Sequence, residues 1–192
     1  MKQNIANTIE ILKKGGIVVM PTDTIYGIVA SALDSLAVDN VYEIRKRAPE
    51  KPCIILIGDI EDLKKFGIIL SEEQKTAVKK YWFTQSSVEG PGSVSVILYC
   101  PEEKFTYLHR GTNTLAFRLP QNADLQQLLK ETGPLIAPSA NTEGMSPAKN
   151  IAEAKKYFGE QVDLYVDGGE ITGKASKIIE LHKDGSVSIL RG

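Results

Sequence analysis

The apolar residues fall into two kinds of run, and their spacing sets out an alternation of helices and strands. Ile5, Ile9 and Leu12 recur at helical spacing, Lys13 and Lys14 lie in the last turn, and Gly15-Gly16 closes the segment as a helix C-terminus does. Ile17-Val18-Val19-Met20 is short, rich in β-branched residues and followed by Pro21, which predicts a buried strand running into a loop over Pro21-Thr22-Asp23-Thr24-Ile25-Tyr26-Gly27. A second helix is predicted from Ser35 to about Arg47, where Val41 and Ile44 extend an apolar face and Ala48-Pro49 ends it.

Cys53 to Ile57 reads as a buried strand, Asp59 to Phe66 and Ser71 to Trp82 as helices, and Val94 to Leu98 as another strand. Thr84 to Gly92, rich in Ser, Gly and Pro, is expected to be a mobile loop. Thr114 to Leu119 and Leu135 to Pro138 read as strands around a helix from Asp124 to Glu131, and Ala152 to Phe158 as a further helix. Strands return at Leu164 to Val166, Lys177 to Leu181 and Val187 to Leu190, the last two forming a hairpin about Lys183-Asp184-Gly185. The order lacks regular βαβ repetition, so the expected fold class is α/β of the α+β type: one domain over residues 1–192, with a twisted, mixed sheet flanked by helices.

Composition narrows the function without naming it. A 192-residue chain with 42% hydrophobic and 24% charged residues can bury a substantial core. A formal net charge of -1 gives no global reason to expect nucleic acid or membrane partners, although Arg45-Lys46-Arg47 is locally basic. Cys53 and Cys100 have no paired spacing and His109 and His182 stand alone, so neither a zinc site nor a disulfide framework is indicated. No stretch of about 18 apolar residues and no signal sequence is present, and a cytoplasmic location is the default expectation.

Two catalytic motifs fail on inspection. Gly168-Gly169-Glu170-Ile171-Thr172-Gly173-Lys174 begins like a phosphate-binding P-loop, but Ala175 replaces the magnesium-binding hydroxyl and a strand follows where a helix is required. Ser139 lies in Ala137-Pro138-Ser139-Ala140-Asn141, not in the Gly-x-Ser-x-Gly elbow of a serine hydrolase. There remain Thr22, Arg45, Arg47, Lys51, Arg118, Ser139 and Asn141, all near predicted strand or helix ends, where α/β folds bind ligands and where cations suit phosphates and a carboxylate. Singly, each also suits a cap or a turn.

The joint pattern resembles the YrdC/TsaC family of threonylcarbamoyl-AMP synthases. Gly15-Gly16 with Pro21 to Gly27 is similar to the family's opening signature, Arg45-Lys46-Arg47 with Lys51-Pro52 to its Lys-x-Arg motif, and Gly90 to Val96 to its Pro-Gly-Pro-Leu-Thr segment. Thr114 to Pro120 resembles its Thr-x-Ala-x-Arg-x-Pro strand, Ser139-Ala140-Asn141 its Ser-x-Asn motif, and Leu190-Arg191-Gly192 its closing arginine strand. The resemblance implies a YrdC-like fold with a large cationic cavity, and a chemistry in which L-threonine, bicarbonate and ATP give threonylcarbamoyl-AMP and pyrophosphate for tRNA modification at adenosine 37.

It further implies that Arg45, Arg47 and Lys51 hold the phosphates and that Arg118 pairs with the threonine carboxylate. Thr22 and Ser176 would bind threonine's polar groups, while Thr114, Ser139, Asn141 and Arg191 would contact the nucleotide or the reacting carboxylate. Arg45, Arg47, Ser139 and Asn141 are the catalytic candidates; Mg2+ is expected with the nucleotide, and no protein metal site. Implied partners are the transferase machinery that modifies tRNA and, in a competing reading, tRNA or double-stranded RNA bound without catalysis; carbamoyl-adenylate formation is a second competitor. The sequence departs from the family at Arg45 (lysine), Ala48 (proline), Glu143 (serine) and Lys177 (threonine), and Lys46 could stand in for the lysine.

Overall fold

A computed structural model of the chain describes residues 2–83 and 94–191. The expected loop at Thr84 to Gly92, Gly90 to Ser93 of the motif that ends at Val96, and Gly192 lie outside the described residues.

The helices are α1 (Lys2–Lys13), α2 (Ser35–Arg45), α3 (Glu72–Phe83), α4 (Thr106–His109), α5 (Ala123–Thr132) and α6 (Ile151–Phe158). The strands are β1 (Val18–Pro21), β2 (Tyr26–Ser31), β3 (Ile54–Leu56), β4 (Val94–Tyr99), β5 (Thr114–Arg118), β6 (Leu135–Ile136), β7 (Leu164–Tyr165), β8 (Lys177–Leu181) and β9 (Val187–Arg191). They form one mixed sheet in the order β7-β1-β2-β6-β3-β5-β4-β8-β9. β1/β7, β3/β5 and β4/β8 are parallel pairs and the others antiparallel.

The expected α/β class is therefore observed, with three local differences. Tyr26–Ser31, whose start was assigned to a loop, is a strand of which Tyr26 to Ala30 are all buried. Burial on both faces removes the alternation that would have signalled it. The segment Ile60–Phe66 is a 3-10 helix, closed at its start by Asp59 and Asp62 in a reciprocal capping box. The unforeseen α4 is a single turn, too short to show a period.

Strand alternation divides the core into two layers. Val19, Ile28, Ile55, Val96, Phe117 and Ile179 pack with Val38 and Val41 of α2, Trp82 of α3 and Phe158 of α6. Val18, Met20, Val29, Leu56 and Leu135 face the other way, against Leu12 of α1 and Leu125, Leu128 and Leu129 of α5. This second helical layer does not extend over β5, β4 and β8, whose residues on that side include Arg118, Ser95 and Ile178. One half of the sheet face is thus left for polar chemistry.

Phe117 sits at the centre of the first layer, fully buried, with the Phe66 ring 5.1 Å away edge-on. Phe117→Ala is expected to lower the free energy of unfolding by about 3–5 kcal/mol, measured by urea denaturation. A loss below about 1 kcal/mol would show that this layer is not a packed core.

Candidate functional site

Over the uncovered half of the sheet lies a cavity of about 320 Å³. Its floor comes from strand residues facing away from the first core layer: Ile54 beside β5, Arg118 at the end of β5, Ala137 just after β6 and Ile178 of β8. The walls include Thr22, Thr24 and Tyr26, then Arg47, Ser139, Ser176 and Arg191.

Arg118 is a buried cation at the cavity floor. It is 3% exposed, and its Nη2 lies 2.9 Å from Oδ1 of Asp23. The contact is a buried ion pair between strand end and turn. Burial pushes the Asp23 carboxyl up while the Arg118 charge pulls it down, and burial pulls the Arg118 guanidinium down while Asp23 supports it. The other amino group of Arg118, Nη1, donates at 3.4 Å to the Ser176 hydroxyl, which lies 2.8 Å from that of Ser95. Arg191 grips the Ser176 carbonyl through Nε at 3.0 Å and Nη2 at 2.6 Å. Asp23 and Ser176 thus meet on one guanidinium, with Ser95 and Arg191 bonded in turn to Ser176.

A second cluster lies where α2 ends. Lys46 takes a left-handed conformation (φ 50°) and Arg47 N–H returns to Tyr42 O at 2.9 Å, which reverses the chain. Arg45 is thereby buried and Lys46 exposed, and neither is in the cavity lining. Arg45 donates from Nε to Asn141 O at 3.0 Å and from Nη2 to the Ser139 hydroxyl at 3.4 Å, while its Nη1 is buried without a partner. Burial first, then the neighbouring Arg47 charge, bring its pKa down to about 10. Arg47 donates to the carbonyls of Lys51 and Pro52 at 3.0 and 2.9 Å and borders the cavity. Ser139 is presented by backbone bonds of its segment to β2, Ile28 N–H to Pro138 O at 3.0 Å and Ala140 N–H to Tyr26 O at 2.9 Å.

Of the residues proposed from sequence, Thr22, Arg47, Arg118, Ser139, Ser176 and Arg191 border one cavity, with Arg45 directly behind Ser139. The Thr22 hydroxyl donates to Ile25 O at 2.7 Å, closing the β1–β2 turn. Asn141 is buried, its amide donating to Thr142 O and Met145 O at 2.8 Å each, and its Oδ1 has no partner. Lys51 lies outside the lining, its ammonium paired with Glu143.

Thr114 lies outside the cavity lining. It opens β5 opposite Tyr99, its hydroxyl bonded to Thr112, while Arg118 occupies the strand's other end. Four residues of extended chain place the two about 13 Å apart. Sequence reading also overlooked Asp23, Thr24, Tyr26 and Ser95. Asp23 and Tyr26 lay within the recognised motif without a role, and Ser95 was marked only by being polar between two apolar strand positions.

The glycine-rich run from Gly168 to Gly173 is no P-loop: it is irregular and leads into β8. It straps across the Pro21–Tyr26 segment. The buried Tyr26 hydroxyl accepts from Gly168 N–H and donates to Gly169 O, both at 2.8 Å, and Ile171 N–H reaches Lys149 O at 2.8 Å. A Cβ on Gly173 would stand 2.0 Å from Thr24 O, so only glycine permits this approach.

With this geometry in view, comparisons with known proteins are specific. The Sua5/YciO/YrdC family model, described as "Telomere recombination", matches residues 10–192. Threonylcarbamoyl-AMP synthase of Bacillus subtilis is 34% identical over 86% of the chain, which spans 46% of that protein's length. Threonylcarbamoyl-AMP synthase of Idiomarina loihiensis is 29% identical, with 85% of this chain and 84% of the relative covered. The structure of Pyrococcus abyssi Sua5 complexed with L-threonine superposes with a TM-score of 0.85 at 28% identity, covering 100% of this chain and 54% of that one.

Tyr26→Phe removes both bonds to the strap, whose Gly168 and Gly169 are exposed, at a cost of about 0.5–1.5 kcal/mol for each bond. Amide exchange over residues 167–175 should quicken markedly while that of α5 stays unchanged. Unaltered strap exchange would show that the hydroxyl is not its anchor.

Proposed function

We propose a function on one premise: the chain belongs to the Sua5/YciO/YrdC family. The function is L-threonylcarbamoyl-adenylate synthesis from L-threonine, bicarbonate and ATP. Threonine's amine and bicarbonate give an N-carboxylate and water. That carboxylate attacks the α-phosphorus of ATP, an oxygen–phosphorus bond forms, the bond to the β-phosphate bridge breaks, and pyrophosphate leaves. The product would serve N6-threonylcarbamoyladenosine formation in tRNA, and the tRNA-modifying transferase machinery is the partner in this reading. The proposed location is cytoplasmic; no helix among the described residues is long and apolar enough to cross a membrane.

The observation that carries the reading is where buried polar atoms go unpaired. Among the described residues these are Arg45 Nη1, Arg118 Nε, Asn141 Oδ1 and Oδ2 of Asp23, whose Oδ1 is held by the Arg118 ion pair, with only His109 Nε2 and Arg110 Nε elsewhere. Unmet hydrogen-bonding capacity is costly in a protein interior and concentrates where a ligand is to be received. Arg118 at the cavity floor would take the threonine carboxylate, whose planar shape suits a guanidinium. Thr22 and Ser176 border the same end and would take its hydroxyl and amine. Arg45, Arg47, Ser139 and Asn141, with Arg191 and Lys51 at greater reach, would take the nucleotide.

Two anions must meet in this reaction, so the protein's contribution is proximity and charge neutralisation. Among the described residues no three His, Cys, Asp or Glu side chains stand together as a metal site. We therefore place Mg2+ on the polyphosphate, where it would offset phosphate charge, and assign it no protein cage.

The test is incubation of the purified chain with ATP, Mg2+, bicarbonate and L-threonine, reading pyrophosphate release and adenylate mass. Threonine-dependent product is expected, with little from serine and none without amino acid. Arg118→Lys, which keeps charge but loses the fork, should raise the KM for threonine about 10- to 100-fold and that for ATP much less. Failure to form the adenylate under any amino acid would overturn the proposal.

A further inference from the structure

Glu143 is an acidic side chain set against a cationic cluster, and its contacts say what it does there. Its Oε2 accepts from Ala48 N–H at 2.6 Å, its Oε1 lies 2.5 Å from Lys51 Nζ, and its own N–H donates to Arg45 O at 2.9 Å. One residue thus ties the segment carrying Ser139 and Asn141 to the loop carrying Arg47 and Lys51. The loop's backbone has other holds, since the Lys51 carbonyl accepts from Tyr42 Oη at 2.8 Å and Arg47 Nε at 3.0 Å. The Lys51 ammonium is different: its ion pair is with Glu143, and it is exposed, outside the cavity lining but adjoining Pro52, which borders it.

Bringing Arg45, Arg47 and Lys51 together is self-repelling, as the effect of Arg47 on Arg45 shows. Glu143 offsets that repulsion, and the three cations in turn favour its ionised form; its carboxyl is held below the usual carboxylate range first by Lys51 and then by Ala48 N–H. When a polyanion arrives, the same negative charge becomes repulsive and occupies a cation that the polyanion needs. Serine, which the resemblance places at this position, would carry no such charge.

We infer that Glu143 is a positioning residue with two separable effects: through Ala48 N–H it fixes the loop of Arg47, and through Lys51 it competes with the incoming polyphosphate. Polyphosphate binding then entails transfer of Lys51 from the Glu143 carboxylate to phosphate oxygens. The inference rests on the reading of this cavity as a polyphosphate site. It makes Glu143 a determinant of nucleotide affinity and not of threonine affinity.

Glu143→Gln separates the two effects, because the amide oxygen still accepts from Ala48 N–H while the charge is gone. Inorganic tripolyphosphate is titrated calorimetrically into the full chain, the Glu143→Gln and Lys51→Ala variants, and the double variant. Glu143→Gln should bind about two- to five-fold tighter than the parent, the range set by a half-exposed ion pair. The gain should vanish in the Lys51→Ala background and shrink at high salt. Glu143→Ala, which also frees Ala48 N–H, should melt below Glu143→Gln. Equal or weaker binding by Glu143→Gln, with the parent still binding, overturns the competition alone. No tripolyphosphate binding by either overturns the inference together with the reading of the site.

Discussion

A guanidinium buried in a protein must find a counter-charge, because removing it from water costs several kcal/mol that only a close anion and hydrogen bonds can return. Arg118 meets that demand with Asp23, 95 positions earlier in the chain, and with Ser176, 58 positions later. The pairing ties the end of β5 to the turn between β1 and β2 and to the segment before β8. Because α1 and α5 cover only the half of their sheet face nearest β1, this polar contact stands where a helix would otherwise supply apolar burial. The cavity is therefore a consequence of incomplete covering, kept intact by charge.

The strap from Gly168 to Gly173 follows from the same economy of space. The Pro21–Tyr26 turn must lie close to the floor for Asp23 to reach Arg118, and a chain crossing outside it has little room. Glycine at 168 and 173 admits the crossing: a Cβ at Gly168 would stand 2.4 Å from Pro21 Cγ, and at Gly173 2.0 Å from Thr24 O. The motif that began like a P-loop in the sequence is glycine-rich for backbone approach to protein and not to phosphate. The same composition serves two geometries, and only the following element, a strand and not a helix, separates them.

Much of the fold was legible because long elements carry a period. β1, β3 and β5 could be read as strands from short apolar runs at Ile17 to Met20, Cys53 to Ile57 and Thr114 to Leu119, and α1 from its apolar spacing. The start of β2 was not, since Tyr26-Gly27 closed a polar motif and the strand is buried on both faces. The site was legible where a motif positions its own residues, as Ser139 and Asn141 do across one loop. Sequence reading could not foresee that Thr114, carried over by resemblance, stands about 13 Å from Arg118 at the other end of β5. It could not supply Asp23, whose significance lies wholly in a partner from another strand.

Arginine at position 45, where the family has lysine, follows the same logic. A lysine there would present one compact charge; the planar guanidinium instead spreads its donors over Asn141 O, the Ser139 hydroxyl and a third, unpaired nitrogen. Two of its groups thus brace the Ser139–Asn141 segment, and Nη1 is left without a hydrogen-bond partner. Bracing by side chain relieves the segment of other fixings, yet Glu143 in that segment also returns a bond to Arg45 O and a carboxylate to Ala48 N–H. Arg45 and Glu143, both departures from the family pattern, therefore meet across one seam. The Glu143 charge supports the ionised Arg45 while a backbone bond joins their segments, so the pair is to be understood together and not as two isolated substitutions.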